Sequence, residues 1–285
     1  MRLSEMKNVK VMLWGLGAMG GGIGKMLTKK KGVDIVGAID IGDKIGKSLY
    51  DVVPGIVKGD REDVIVGTPE EVIKPGAADI VVVCTNSFTK DVFDKLVFVM
   101  ERGMNVITSA EEMAYPQAQE PELAKKLDEI AKKNGVSVMG TGINPGLIMD
   151  LLVVLWAAAC EEVNHVTSRR VNSLSPFGPA VMEEQGIGIS VEEFNERKAN
   201  GTMAGHVGFA ESTMMICDAL GWKWDDFGQD MEPIVTDVDR KSPYGFAAAG
   251  QVAGVAMKGW VNIDGERKID MDHPQQIEPE QVGVH

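Results

Sequence analysis

Positive charge is scarce in this sequence. Among 285 residues, 29 are Lys or Arg and 42 are Asp or Glu, a net charge of −13. That deficit argues against a nucleic-acid surface, which needs clustered Lys and Arg, and against a basic patch for a membrane surface. Cysteine is nearly absent: Cys84, Cys160 and Cys217 are the whole set. They form no C-x-x-C pair and no cluster with His, so no disulfide framework and no metal site are expected. A sparse, odd set of thiols fits a reducing, cytoplasmic compartment. No run of about 18 apolar residues occurs, so no membrane span is expected. The opening MRLSEMKNVK has no apolar secretory segment. Internal repeats and low-complexity stretches are missing too. What remains is ordinary globular material, 44% hydrophobic and 25% charged, enough to bury a core in one large or two modest domains.

The first half alternates strand and helix signals. Val9–Trp14 is a short apolar run that ends at glycines, and Met19, Ile23, Met26 and Leu27 then recur at helical spacing. Apolar strands are expected at 33–39, 64–66, 79–84, 104–108 and 136–139, with helices at 91–102 and 121–134. Asp79–Cys84 (DIVVVC) is continuously apolar, as in a strand buried on both faces. This alternation predicts an α/β domain, a doubly wound parallel sheet, over residues 1–143. The texture then changes. Residues 146–160 read as one long apolar helix. Residues 164–172 read as a strand, 190–200 as a helix opened by a Ser190/Glu193 capping box, and 207–220 as a helix. Residues 232–238 and 251–263 read as strands. A second, α+β domain over 144–285 is expected to carry substrate contacts, and its exposed sheet suggests a homodimer.

Gly15-Leu16-Gly17-Ala18-Met19-Gly20 is a G-x-G-x-x-G. Alone the pattern is weak. Here it follows a strand and opens a helix, and an acidic residue, Asp40, ends the next strand. That conjunction is the Rossmann dinucleotide fingerprint. Gly15 permits the turn, Gly17 lets the backbone approach the pyrophosphate, and Gly20 lets the helix pack close to the strand. Ala18 and Met19 begin that helix, whose free N–H groups face the phosphates. Asp40 would accept hydrogen bonds from the adenosine ribose and repel a 2′-phosphate. This favours NAD over NADP, a preference softened by Lys44 and Lys47. Cys84, Thr85 and Asn86 end the fourth strand and should lie beside the nicotinamide ribose, because ligands sit at the carboxyl ends of parallel strands.

The fifth strand ends Thr108-Ser109-Ala110-Glu111-Glu112, and Ser109 joins the cofactor contacts by the same rule. Ser109 and Glu112 have capping-box spacing, so Glu112 has a structural task available. Glu111 has none. It is either a solvated loop acid or, in a partly dry cleft that raises its pKa, a general base. In Gly140–Gly146 (GTGINPG), Pro145 suits the first position of the following helix, so Asn144 reads as its N-cap or as a ligand contact. Along the next strand, Arg170 and Asn172 share one face and Arg169 points the other way. A guanidinium beside an amide suits carboxylate recognition, although a solvated sheet face is the commoner fate of such a pair. His273 reads as a lone residue in a polar loop, and His165 and His206 as unremarkable.

Together these residues resemble a known family. WGLGAMG, VGAID, NVITSAEEMAYP, GTGINPG, SRRVN and IDMDHP are similar to the 2,4-diaminopentanoate dehydrogenases and related native amine dehydrogenases, whose cofactor domain is like that of dihydrodipicolinate reductase. The resemblance runs from about Val9 to the end of the sequence. It implies oxidation of the C4 amine of 2,4-diaminopentanoate by NAD or NADP, with release of ammonia. It implies Glu111 as the catalytic acid/base, and Asn144, Arg170, Asn172 and His273 as contacts to the substrate carboxylate. Family members run on past the point where this sequence stops, and QVGVH reads as the start of a strand. Two relatives of the fold are disfavoured. Dihydrodipicolinate reductase uses a His-His pair followed by Lys, and this sequence has four His, none adjacent. Homoserine dehydrogenase has Asn-Lys where Ala110-Glu111 stands here. A non-catalytic NAD(H) sensor is the rival of another class. It predicts cofactor binding with no amine-dependent reduction of NAD.

Overall fold

The computed structural model describes residues 7–203 and 205–284. The chain divides into two compact units, the first ending at Gly146 and the second starting at Leu147. Asn144 and Pro145 therefore belong to the first.

The first unit holds strands β1 (Val9–Trp14), β2 (Val33–Ile39), β3 (Val66–Gly67), β4 (Ile80–Val83), β5 (Asn105–Thr108) and β6 (Val138–Gly140). They pair in parallel as one sheet in the order β3-β2-β1-β4-β5-β6. Helices α1 (Ala18–Leu27), α2 (Leu49–Val52), α3 (Pro69–Val72), α4 (Thr89–Met100) and α5 (Pro121–Asn134) connect them. This is a Rossmann-type doubly wound sheet, and its strand order reverses between β1 and β4. Side chains alternate across the sheet. Val11 and Leu13 of β1 enter a core with Ile35, Leu49 and Val53, whereas Met12 and Trp14 enter another with Val81, Leu96 and Leu127. Two buried faces explain why β1 and β4 read as unbroken apolar runs. The third strand is shorter than expected, because Ile65 makes only an isolated bridge to Ser48.

The second unit contains α6 (Leu151–Ala157), β7 (Val166–Arg169), β8 (Asn172–Ser173), α7 (Pro179–Glu184), α8 (Val191–Ala199), α9 (Phe209–Leu220), β9 (Asp226–Val235), β10 (Arg240–Lys241), β11 (Phe246–Ala247), β12 (Val252–Ile263) and β13 (Glu266–Gln276). Strands run β7-β13-β12-β9, with β8 also on β13, and β10 pairs only with β11. Helix α9 packs over this sheet, and a Cβ at Gly259 of β12 would stand 2.8 Å from the Phe209 ring.

Three expectations are corrected here. The helix expected over 146–160 is only Leu151–Ala157. Gly146 has φ +118, which no helix accommodates. The N-cap is Asp150, whose carboxylate accepts the Leu151 N–H at 2.6 Å and the Ser212 hydroxyl at 2.9 Å, so Asn144 is not a cap. His273 lies in no loop: β13 carries it, 1% exposed. Finally, Pro279–Val282 form a 3-10 turn, so residues 281 and 282 begin no strand; His285 lies outside the described residues.

Candidate active-site residues

The glycine loop is packed as a dinucleotide needs it. Gly15 has φ +94, and a Cβ there would lie 2.5 Å from the Cys84 carbonyl oxygen. A Cβ on Gly20 would lie 1.8 Å from the Gly15 carbonyl oxygen. Both glycines are thus demanded by the packing itself. A Cβ on Gly17 would meet nothing within 4 Å, so the space above the N-terminus of α1 is open. Gly17 is the N-cap of that ten-residue helix and makes no side-chain cap, which leaves first-turn N–H groups available to an anion. The Gly15 N–H donates to the Ile39 carbonyl and the Cys84 N–H to the Trp14 carbonyl, so the ends of β1, β2 and β4 meet at the point where strand order reverses. Thr85 adds a buried Oγ1 with no hydrogen-bond partner among the described residues. These features fit a dinucleotide.

Asp40, just past β2, fastens the loop. Its carboxylate accepts the Leu16 N–H at 2.7 Å, the Ile41 N–H at 2.8 Å and the Lys44 ammonium at 2.7 Å. Burial pushes its pKa up, but Lys44 and the two N–H donors outweigh that and hold it below the usual carboxylate value. The Lys47 ammonium pairs instead with Asp43 at 3.3 Å.

At the ends of β4 and β5, Ser109 hydrogen-bonds the Cys84 thiol, whose pKa burial nevertheless raises. Asn86 is exposed, and its Oδ1 accepts from Lys95 at 2.7 Å. The paired acids then part. Glu112, 8% exposed, accepts the Thr89 N–H at 2.7 Å and donates its own N–H to the Ser87 carbonyl. It caps α4 rather than its own turn, whose N-cap is Ala110 with no side-chain bond; the Ser109/Glu112 capping box does not form. Glu111, half-buried in the 3-10 turn Glu111–Ala114, is held by no hydrogen bond or ion pair among the described residues. The neighbouring segment after β6 runs beside it: the Thr141 N–H donates to the Thr108 carbonyl. There a Cβ at Gly140 would lie 1.9 Å from the Met113 carbonyl oxygen. Asn144, half-buried with its Oδ1 enclosed, follows in that segment.

In the second unit the basic groups gather beside His273 of β13. Arg169 faces outward and pairs with Asp272 at 2.8 Å. Arg170 is half-buried and has no ion pair among the described residues; burial lowers its pKa. Its Nη1 stands 3.4 Å from Nε2 of His273, while Nδ1 of His273 lies 2.9 Å from the Arg170 carbonyl oxygen. The His206 ring meets the His273 ring edge-on, centroids 5.0 Å apart. Burial, with the Arg170 charge and, for His206, His273 as well, drives the pKa of His273 to about 4 and of His206 to about 3. Two neutral imidazoles thus stand in line beside one guanidinium, His273 next to it and His206 behind His273. Asn172 sits on β8 with a buried, unpartnered Oδ1. Among the described residues no group of His, Cys, Asp and Glu is arranged to hold a metal ion, and no helix is long and apolar enough to cross a membrane.

Residues 147–285 match the model of the 2,4-diaminopentanoate dehydrogenase C-terminal domain. A 2,4-diaminopentanoate dehydrogenase of Acetoanaerobium sticklandii is 67% identical over 280 residues, 98% of this chain and 79% of that protein. The chain belongs to the 2,4-diaminopentanoate dehydrogenase family. Among solved structures, an amine dehydrogenase from Mycobacterium smegmatis superposes with a TM-score of 0.76 at 26% identity, covering 95% of this chain and 80% of that one. A biliverdin reductase from Synechocystis, at TM-score 0.51 and 10% identity over 95% of this chain and 73% of that one, shares the fold alone.

Sequence reasoning passed over two residues of this family member. His206 carries no spacing signal, since its neighbours are contributed by β13 and by Arg170. Glu112 looked like a local cap because its true partner, the Thr89 N–H, lies 23 residues away. His273 had a legible signal in the alternation Ile269, Met271, His273, all buried, but Pro274 disguised it. Proline is tolerated there because β7 pairs β13 through Asp272 and β8 resumes at Gln275. Pro274 falls in the gap, where no partner on that side requires its missing N–H.

Proposed function

We propose that this chain oxidises the C4 amine of 2,4-diaminopentanoate with NAD or NADP, giving 2-amino-4-oxopentanoate and ammonia, and runs the reverse reductive amination. The observation that carries the reading is the division of labour between adjacent acids. Glu112 is spent on α4, and Glu111, at the carboxyl end of β5, is left uncommitted. The high identity to a named dehydrogenase supports the substrate.

Gly15, Gly17, Ala18, Met19, Gly20 and Asp40 would hold the adenine half of the dinucleotide, and Cys84, Thr85, Asn86 and Ser109 the nicotinamide half. When bound, the nicotinamide supplies the acceptor for the hydride. Glu111 takes a proton from the C4 ammonium, so that the neutral amine can release hydride and become an iminium ion. Glu111 gives that proton up to solvent, removes one from the water that adds to that carbon, returns it to the nitrogen, and takes the hydroxyl proton as ammonia leaves and the ketone forms. Asn144 is a polar contact at the β6 end of the same sheet edge. In the second unit, Arg170 with Asn172 takes the distant carboxylate, His273 lies against the Arg170 guanidinium, and the unpartnered Oδ1 of Asn172 suits the C2 ammonium. Binding energy far from the reacting carbon then orients it. Asp40 favours NAD over NADP, a ratio that kcat/KM with the two cofactors measures. Glu111→Gln should lower kcat by about 10²- to 10⁴-fold while NAD still binds. Near-parent turnover in that variant would overturn the assignment.

A further inference from the structure

The Arg170 cluster contains more chemistry than a carboxylate contact requires, and its hydrogen bonds decide which group does what. The backbone oxygen of Arg170 has only lone pairs, so the 2.9 Å contact from Nδ1 of His273 requires a proton on Nδ1. A neutral ring with its proton on Nδ1 has a bare lone pair on Nε2. That lone pair faces Nη1 of Arg170 at 3.4 Å, the long end of a hydrogen bond, with the guanidinium donating. In this arrangement His273 has no N–H left for a substrate carboxylate. His206 stands behind it, wedged between two rings: 5.3 Å from Phe209 at 67° and 5.0 Å from His273 at 85°. Both contacts are edge-to-face, the favoured arrangement of aromatic pairs. Phe209 is 1% exposed and anchors the first turn of α9. A chain of contacts therefore runs from a fixed helix through two imidazoles to one guanidinium.

We propose that His273 is a positioning residue whose bare Nε2 aims the Arg170 guanidinium, and that His206, wedged between Phe209 and His273, holds that ring in place. The proposal rests on the reading of Arg170 as the carboxylate contact. It moves His273 from ligand to orienting group and adds His206, which the family resemblance did not assign. The other charged group beside His273 is Asp272, and it is engaged by Arg169 on the outward side. Keeping both imidazoles neutral leaves Arg170 as the single cation of the cluster, and its charge is matched to one carboxylate.

Two measurements test this. The first is ¹⁵N NMR of the ligand-free full chain labelled at histidine, with His273 and His206 assigned by single substitution. The expected result at neutral pH is His273 protonated at Nδ1 and bare at Nε2; a proton on Nε2 overturns the proposal whatever the substrate. The second is the ratio of kcat/KM for 2,4-diaminopentanoate over that for a simple amine with no carboxylate. Arg170→Met should lower this ratio by roughly 10- to 100-fold through KM. His206→Asn should lower it by roughly five- to tenfold, again through KM with little change in kcat. His206→Phe, which keeps the wedged ring, should restore it to within about twofold. A His206→Asn protein with the parent ratio, or a His206→Phe protein no better than His206→Asn, overturns the role of His206. An unchanged ratio in Arg170→Met overturns the carboxylate reading instead, and the NMR measurement still decides whether His273 accepts from Arg170.

Discussion

The glycine loop of the first unit and the Arg170 cluster of the second are opposite ways of building a binding site. The loop is six consecutive residues acting through their backbone, and its tightest contact joins Gly20 to Gly15 of the same turn. The cluster is made of side chains, and its central pair, Arg170 and His273, is 103 residues apart. In the loop, specificity resides in atoms that are missing, the Cβ atoms of glycine. In the cluster it resides in atoms whose protonation the surroundings dictate. The first kind leaves a pattern in any sequence that contains it. The second exists only once a strand such as β13 has brought its members together.

The sharpest way to break that contrast is in the loop. Gly20→Ala places a methyl group against the Gly15 carbonyl oxygen, and neither atom can yield without opening the turn. NAD affinity should fall by more than about 10²-fold, with a loss of stability of about 1–3 kcal/mol. Gly17→Ala fills only open space, so the melting temperature should hold while NAD affinity falls. Titration of NAD against intrinsic fluorescence together with thermal melts separates the two. Equal destabilisation by both substitutions would refute the backbone account.

A middle-sized effect is expected at Glu112, the residue that ties the turn bearing Glu111 to α4. Glu112→Ala removes a charged acceptor from the Thr89 N–H and should cost about 1–3 kcal/mol of stability by urea denaturation. Glu112→Gln keeps an acceptor and should recover more than half of that. If Gln is as damaging as Ala, the cap is not what the carboxylate provides.

The smallest effect, and the one that sharpens the cluster, is with pH. His273 and His206 have folded-state values near 4 and 3, pushed down by burial and the neighbouring positive charge, against about 6.5 when unfolded. Between these limits the unfolded state binds more protons, so stability rises with pH there. It is fully present above about pH 6.5 and declines as the solution is acidified towards pH 4. His206→Phe should make the melting temperature less steep over that window and leave it parallel to the parent above it. An unaltered slope would mean that His206 is not held neutral by the fold.

Much of the first unit was legible in its sequence, because its elements are local and strongly patterned. β1, β2 and α5 have the bounds that their apolar periodicity and terminal glycines predict. The second unit was harder. The apolar run 146–160 has helical composition, yet Gly146 and the cap at Asp150 confine the helix to its middle. β13 was hidden by a proline that only the gap between β7 and β8 makes tolerable.

By itself the sequence determined the sheet, the glycine turn, the acid at the end of β2 and the candidate base at the end of β5. Each depends on residues near one another in the chain and on backbone rules that any parallel sheet obeys. Only the tertiary structure decided what Glu112 caps, the Thr89 N–H of α4 rather than its own turn, and that Arg169, not Arg170, pairs with a carboxylate among the described residues. It alone also decided which nitrogen of His273 carries the proton and that His206 has any part in the matter. Those outcomes depend on the burial and hydrogen-bond partners that distant strands supply, and no spacing in the sequence records them.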